Sequence, residues 1–143
     1  MSLLSVKNLS VEYHTDAGVF RAVDQLNFSL EPGRSLGLVG ESGCGKTTAM
    51  LALMRLLPDA GRIVSGEVLF DGVDLLQLSP AEMLAYRWGK ISMVFQGAMN
   101  ALNPVRTVGS QIGEALKLHK TVPRKEVPDE IDRLLDMVGV TAG

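Results

Sequence analysis

The sequence predicts an α/β fold with a β-rich N-terminal part, and three observations carry that reading. On either side of the turn residues Asp16-Ala17-Gly18, apolar positions recur with an imperfect period near two, the mark of extended segments. A short apolar run, Ser35 to Val39, leads through a glycine-rich stretch, Gly40 to Gly45, into the helix-favouring run Lys46 to Leu57. The closing part, from Val108 onward, is helical in pattern. At 143 residues the chain amounts to roughly one domain. An apolar content of 46% is enough for one sizeable core.

Each element has its own local reason. Leu4, Val6, Leu9, Val11 and Tyr13 suggest a first strand. Phe20 to Leu30 suggests a second, with Val23, Leu26, Phe28 and Leu30 apolar, and Glu31-Pro32-Gly33 closes it as a turn. Ser35 to Val39 suits a buried strand. The helix from Lys46 is expected to end before Pro58. Ile63 to Phe70 predicts another strand, closed by Asp71-Gly72. Ser79 as N-cap, Pro80 at the first helical position and Glu82 in the first turn predict a short helix to about Trp88. Ile91 to Phe95 predicts a short strand. Val108 to Leu118 and Glu126 to Val138 predict helices, the second with Ile131, Leu134, Leu135 and Val138 on one face.

Composition excludes several classes. The apolar content is too high for a disordered chain, and the glycines and prolines lack the three-residue period of collagen. A net charge of −2, from 14 basic and 16 acidic residues, gives no bulk electrostatic case for nucleic acid as a partner. Cys44 is the single cysteine and has no internal disulfide partner, which fits a reducing compartment. No run approaches the roughly 18 to 20 apolar residues of a membrane span. The nearest, Ala49 to Leu57, is interrupted by Arg55. Met1-Ser2-Leu3-Leu4 has no basic region ahead of an apolar run, so no secretory signal is expected. The expected place is the cytosol, or the cytosolic side of a membrane.

The strongest chemical signal is Gly40 to Thr47, which reads GESGCGKT and fits the phosphate-loop pattern G-x-x-x-x-G-K-[ST]. It follows an apolar run and opens a helix, as the mechanism requires. Gly40, Gly43 and Gly45 allow tight turns and close approach of phosphate to backbone. Successive N–H groups, with Ser42 and Cys44 among them, form an anion cradle backed by the positive end of the helix. Lys46 supplies a point charge for the β- and γ-phosphates. The Thr47 hydroxyl suits Mg²⁺, which prefers hard oxygen donors, and Thr48 is placed for the α-phosphate. Cys44 stands at a position the pattern leaves free. It reads as a small residue filling the loop, with a reactive thiol as the alternative.

The phosphate loop alone does not choose among kinases, GTPases, motors and transport ATPases; the flanks do. LLSVKNLSVEY, RAVDQLNFSLEPGRSLGLVGESGCGKTT, SGEVLFDGVDLLQLS and ISMVFQGAMNALNPVRTVG together resemble the nucleotide-binding subunit of ATP-binding cassette (ABC) transporters, in particular dipeptide and oligopeptide importers. The resemblance runs over nearly the whole chain. It implies a P-loop NTPase core over residues 1–97, with an antiparallel β N-terminal subdomain, and the start of a helical subdomain over residues 98–143. It implies ATP and Mg²⁺ as cofactors. Tyr13 lies where the family places an aromatic that stacks on adenine. Gln96 matches the family's glutamine that contacts Mg²⁺ or orients the attacking water. Ala98 to Asn103 would face the permease. Implied partners are a second ATPase subunit (identical or different), the transmembrane permease subunits and, indirectly, an extracytoplasmic solute-binding protein. The implied location is peripheral, at the cytoplasmic side of the cell membrane.

Three family elements have no counterpart in the sequence: an LSGGQ-like segment, an apolar run ending in Asp-Glu, and a switch histidine. Val68-Leu69-Phe70-Asp71 is followed by Gly72, not glutamate. His14 and His119 stand too early and read as surface or structural residues. The chain is therefore expected to be an incomplete, N-terminal part of such a subunit, able to bind ATP but not to hydrolyse it. The Ser35 to Val39 strand is expected to lack neighbours, leaving an apolar edge and marginal stability. Two other readings stay open on the residues: a soluble, non-transport cassette ATPase and a small P-loop kinase. Among importers, nickel or glycosides are alternatives to peptides.

Overall fold

Alternating apolar positions around Asp16-Ala17 close into a long hairpin. In the computed structural model, which describes residues 2–87, 89–95, 97 and 102–140, strand β1 spans Leu4–Thr15 and β2 spans Gly18–Leu30. The two strands are antiparallel, and Thr15 pairs with Gly18 across the turn. The Thr15 hydroxyl donates to the Gly18 carbonyl at 3.0 Å and helps close it. Strand β3, Gly61–Phe70, pairs antiparallel with the other edge of β1. A short β4, Val73–Asp74, folds back on β3 through the Asp71-Gly72 turn. The sheet order is β2-β1-β3-β4. Strand β3 begins two residues before the expected Ile63, and β4 lies outside the expected elements; Asp74 Oδ1 accepts from the Val68 amide of β3 and from the amide of Leu76, just past β4.

The chain divides into two compact units, Met1–Leu84 and Ala85–Gly143. In the first, Val6, Leu9 and Val11 of β1 and Val68 of β3 are fully buried. Helix α1, Lys46–Leu53, adds Ala49, Ala52 and Leu53, spaced so that all three share one face. Leu75 and Met83 complete the core, Met83 from helix α2, Pro80–Tyr86. Each fully buried Val or Leu contributes about 1.5–3 kcal/mol relative to exposure, so this cluster carries the unit.

Helix α1 ends earlier than the expected Leu57. Arg55 takes a left-handed conformation, φ +51°. The Leu56 amide donates to Leu51 and the Arg55 amide to Ala52, the paired bonds of a Schellman stop. The Arg55 guanidinium meanwhile donates to the carbonyls of Leu75 and Leu78, which favours this stop over another helical turn.

Two expected strands do not form. Residues 35–39 are irregular, and Leu36, Leu38 and Val39 are exposed rather than buried. A strand is a hydrogen-bonded object, and no described segment pairs with this one. Among the described residues, 91–95 make a single parallel bridge, Ile91 with Arg87, and Val94 and Phe95 are exposed.

The second unit is helical. Helix α3, Val108–Leu118, is capped by Thr107, whose hydroxyl accepts from the Ser110 amide at 3.2 Å. A 3-10 turn, Arg124–Glu126, leads into helix α4, Val127–Met137. Gly109 and Gly113 lie one turn apart on α3 and leave room for Ile131 of α4. Leu116 and Val127 are buried beside that contact. Gly139, φ +76°, closes α4 in the same manner as Arg55 closes α1, with the Val140 amide donating to Leu135.

Candidate functional site

Residues 40–44 form an exposed loop that feeds through the half-buried Gly45 into α1. Gly43 and Gly45 carry φ of +82° and +91°, so the loop needs glycine at both places. Gly45 is the N-cap and offers no side chain to the orphan amides of the helix start. Those amides are left for another acceptor. A Cβ at Gly45 would lie 2.3 Å from the Ala22 carbonyl of β2. Close packing of the loop on the sheet therefore excludes every other residue there.

Lys46 turns its side chain back over the loop. Its Nζ donates to the Gly40 carbonyl at 2.7 Å and the Glu41 carbonyl at 2.6 Å, and lies 3.3 Å from Cys44 Sγ. The loop thus holds one ammonium group through two of its own carbonyls. Glu41 takes part through its backbone and was not among the expected site residues; its place in the pattern is free of side-chain constraint, so nothing in the sequence marks it. Thr47 is exposed at the first turn of α1. Ser42 and Cys44 are exposed on the loop. A cleft of about 270 Å³ adjoins the loop and is lined by Ala22, Val23, Leu38, Val39, Cys44 and Lys46 among others. Tyr13, Thr47 and Thr48 do not line it.

Tyr13, near the end of β1, is brought to α1: its hydroxyl and Thr48 Oγ1 share a hydrogen bond at 3.4 Å. Its ring lies against Gly61 of β3, where a Cβ would stand 3.2 Å from Tyr13 Cε1. The structure therefore gathers Tyr13, residues 40–46, Thr47 and Thr48 in one unit. Gln96, the remaining expected site residue, lies outside the described residues, as do residues 98–101 of the expected permease-facing segment. Asn103, at the end of that segment, is tied to α3: its amide donates to Gln111 Oε1 at 2.8 Å, and Gln111 Nε2 returns a bond to its carbonyl at 3.1 Å. His14 is a surface residue 3.6 Å from a Glu12 carboxylate oxygen. Among the described residues no helix is long and apolar enough to cross a membrane.

A family model described as "ABC transporter" matches residues 23–142. Dipeptide transport ATP-binding protein DppD of Bacillus subtilis (strain 168) is 43% identical over 139 residues, which is 96% of this chain and 42% of the relative. Oligopeptide transport ATP-binding protein OppD of Escherichia coli (strain K12) is 46% identical over 137 residues, 96% of this chain and 40% of the relative. A probable peptide ABC transporter ATP-binding protein, y4tR of Sinorhizobium fredii (strain NBRC 101917 / NGR234), is 42% identical over 139 residues, again 42% of the relative's length. The chain thus spans less than half the length of these curated relatives. Among solved structures, a dimeric post-hydrolysis state of the ATP-binding cassette MJ0796, bound to ADP and Pi, superposes with a TM-score of 0.73. It is 20% identical and covers 94% of this chain and 56% of its own, a likeness of fold.

Proposed function

The chain belongs to the ABC transporter family, and from that premise we propose that it is the ATP-binding part of a peptide importer's ATPase subunit. One observation supports this above the others: the Gly40–Thr47 loop opens α1 with uncapped amides and holds the Lys46 ammonium over itself through two carbonyls. Such a loop fits a polyphosphate. Its amides and helix dipole favour anions, and Lys46 can exchange carbonyl oxygens for more strongly accepting phosphate oxygens. The exposed Thr47 hydroxyl is a hard oxygen donor and fits Mg²⁺. When bound, the metal offsets phosphate charge; Thr47, and Gln96 by the family resemblance, are the residues proposed to hold it. Ser42, Gly43, Cys44, Gly45 and Thr48 complete the phosphate cradle, and Tyr13 supports the base.

The peptide reading follows the relatives, whose names specify dipeptide and oligopeptide transport. In such a system a second ATPase subunit and membrane permease subunits are the proposed partners, with a solute-binding protein acting through the permease. The chain would sit peripherally at the cytoplasmic face of the membrane. Nucleotide binding biases that assembly only through contacts that differ between its states.

Calorimetry with Mg-ATP tests the reading. The wild-type chain is expected to bind, and Lys46→Ala to lose at least tenfold in affinity by removing a charged hydrogen-bond donor. A folded wild-type chain that ignores millimolar Mg-ATP would overturn the proposal. Phosphate release from these 143 residues is expected to match that of the Lys46→Ala control, since hydrolysis needs a positioned water and a clamp on the γ-phosphate. Release above that control would overturn this clause alone.

A further inference from the structure

A second aromatic side chain stands beside Tyr13. Outward from the hairpin turn, Thr15 pairs with Gly18, His14 with Val19 and Tyr13 with Phe20. On its other side Tyr13 pairs with Gly61. Directly opposed residues of antiparallel strands project to the same face, so Phe20, Tyr13 and Gly61 form one row across the sheet. Tyr13 identifies the face, because its hydroxyl meets Thr48 of α1.

The row is uneven. Gly61 leaves a gap, the Tyr13 ring lies against it, and Tyr13 is half-buried. Phe20, at the far end, is 63% exposed. The neighbouring pair, Glu12 with Arg21, projects to the opposite face and joins in an ion pair of 2.7 Å. That pairing, and the two-residue turn, hold the register that keeps Phe20 next to Tyr13. One exposed apolar residue is ordinary. An exposed aromatic opposite a tethered one, on the face that carries the phosphate loop's helix, places two apolar rings on neighbouring positions, one of them held by its hydroxyl.

We infer that Phe20 is a second base-stacking residue of the nucleotide site, extending the platform that Tyr13 begins. The inference rests on the nucleotide-binding reading above. Stacking on an aromatic face reads no hydrogen-bond pattern, so Phe20 adds affinity for the base without selecting adenine over guanine.

The test compares Mg-ATP, Mg-GTP and inorganic tripolyphosphate as ligands of the 143-residue chain, by calorimetry, with thermal melts alongside. Phe20→Ala is expected to weaken Mg-ATP and Mg-GTP about tenfold. It is expected to leave tripolyphosphate affinity and the melting temperature unchanged, and Phe20→Tyr to restore the loss. Lys46→Ala is expected to weaken all three ligands. Phe20→Ala binding Mg-ATP as tightly as wild type, while Lys46→Ala does not, overturns the role of Phe20 and leaves nucleotide binding standing. Equal weakening of ATP and tripolyphosphate by Phe20→Ala also overturns it, because the effect is then not at the base. A wild-type chain that binds none of the three ligands overturns the nucleotide reading itself, and this inference with it.

Discussion

At the scale of single residues, Gly45 is the position where backbone and packing demand the same thing. Its φ of +91° suits glycine, and a Cβ would press to 2.3 Å from the Ala22 carbonyl. A backbone oxygen cannot swing aside as a side chain can. Gly45→Ala is therefore expected to destabilise the first unit by about 2 kcal/mol or more. It should also weaken Mg-ATP, since relief of the clash must lift the loop from the sheet. Urea unfolding followed by β-sheet circular dichroism measures the first effect, and a midpoint equal to wild type would contradict it. Tyr13 makes a finer test, because its ring and hydroxyl have separable roles. Tyr13→Phe keeps the aromatic face and loses only the 3.4 Å bond to Thr48, so nucleotide affinity should change by less than about threefold. Tyr13→Ala should cost about tenfold by removing the face. Equal affinities for the two variants would deny the ring a role.

At the scale of elements, the start of α2 shows how a terminus sets a local titration. Ser79 and Glu82 form a reciprocal capping box: the Glu82 carboxylate accepts from the Ser79 hydroxyl at 2.6 Å and its amide at 2.7 Å, and the Ser79 hydroxyl accepts from the Glu82 amide at 3.3 Å. Bonds from the Ser79 hydroxyl, then from its backbone, hold the Glu82 carboxyl below its ordinary pKa. A lowered folded value means that the contribution to stability is present above the unfolded pKa and fades as pH falls through the folded one. An NMR titration of the Glu82 side chain should show the depressed midpoint, and Ser79→Ala should raise it. An unmoved midpoint in that variant would exclude the hydroxyl as the cause. Elements of this kind were legible in the sequence because their determinants are neighbours in the chain. Ser79-Pro80-Ala81-Glu82, the Gly40–Thr47 loop and the Asp16-Ala17 turn each carry their own chemistry. Phe20 was within reach too, since counting outward from that turn pairs it with Tyr13. The stop at Arg55 was not, because it depends on the carbonyls of Leu75 and Leu78, twenty or more residues away. Nor was the irregularity of residues 35–39: an apolar run predicts burial, but a strand also needs a partner that the run cannot name.

At the scale of the whole molecule, the two units differ in what holds them. The first has a four-stranded antiparallel sheet in which β1, one of its two interior strands, buries Val6, Leu9 and Val11. Among its described residues the second buries only Gly113, Leu116 and Val127, and none of its side chains is among the fully buried ones. Amide exchange should accordingly be slowest in β1 and faster throughout α3 and α4, and the reverse order would contradict this account. Against those cores stand apolar side chains left in water. Val39 is 94% exposed and Val94 90% exposed, with Leu36, Leu38 and Phe95 also exposed nearby in sequence. Each lies in a segment that has the composition of a buried strand and no hydrogen-bonded strand neighbour among the described residues. Unpaired backbone beside exposed valine and leucine is a template for other chains. Light scattering of the purified chain should therefore rise with concentration, and the chain should bind the dye ANS in native buffer. Val39→Lys and Val94→Lys place a desolvation cost on any such pairing without touching the β1 core. Each should reduce both signals, and the double variant should reduce them further. Unchanged scattering in the double variant would place the association on some other surface, and a wild-type chain that stays monomeric at high concentration would deny that these segments are adhesive at all.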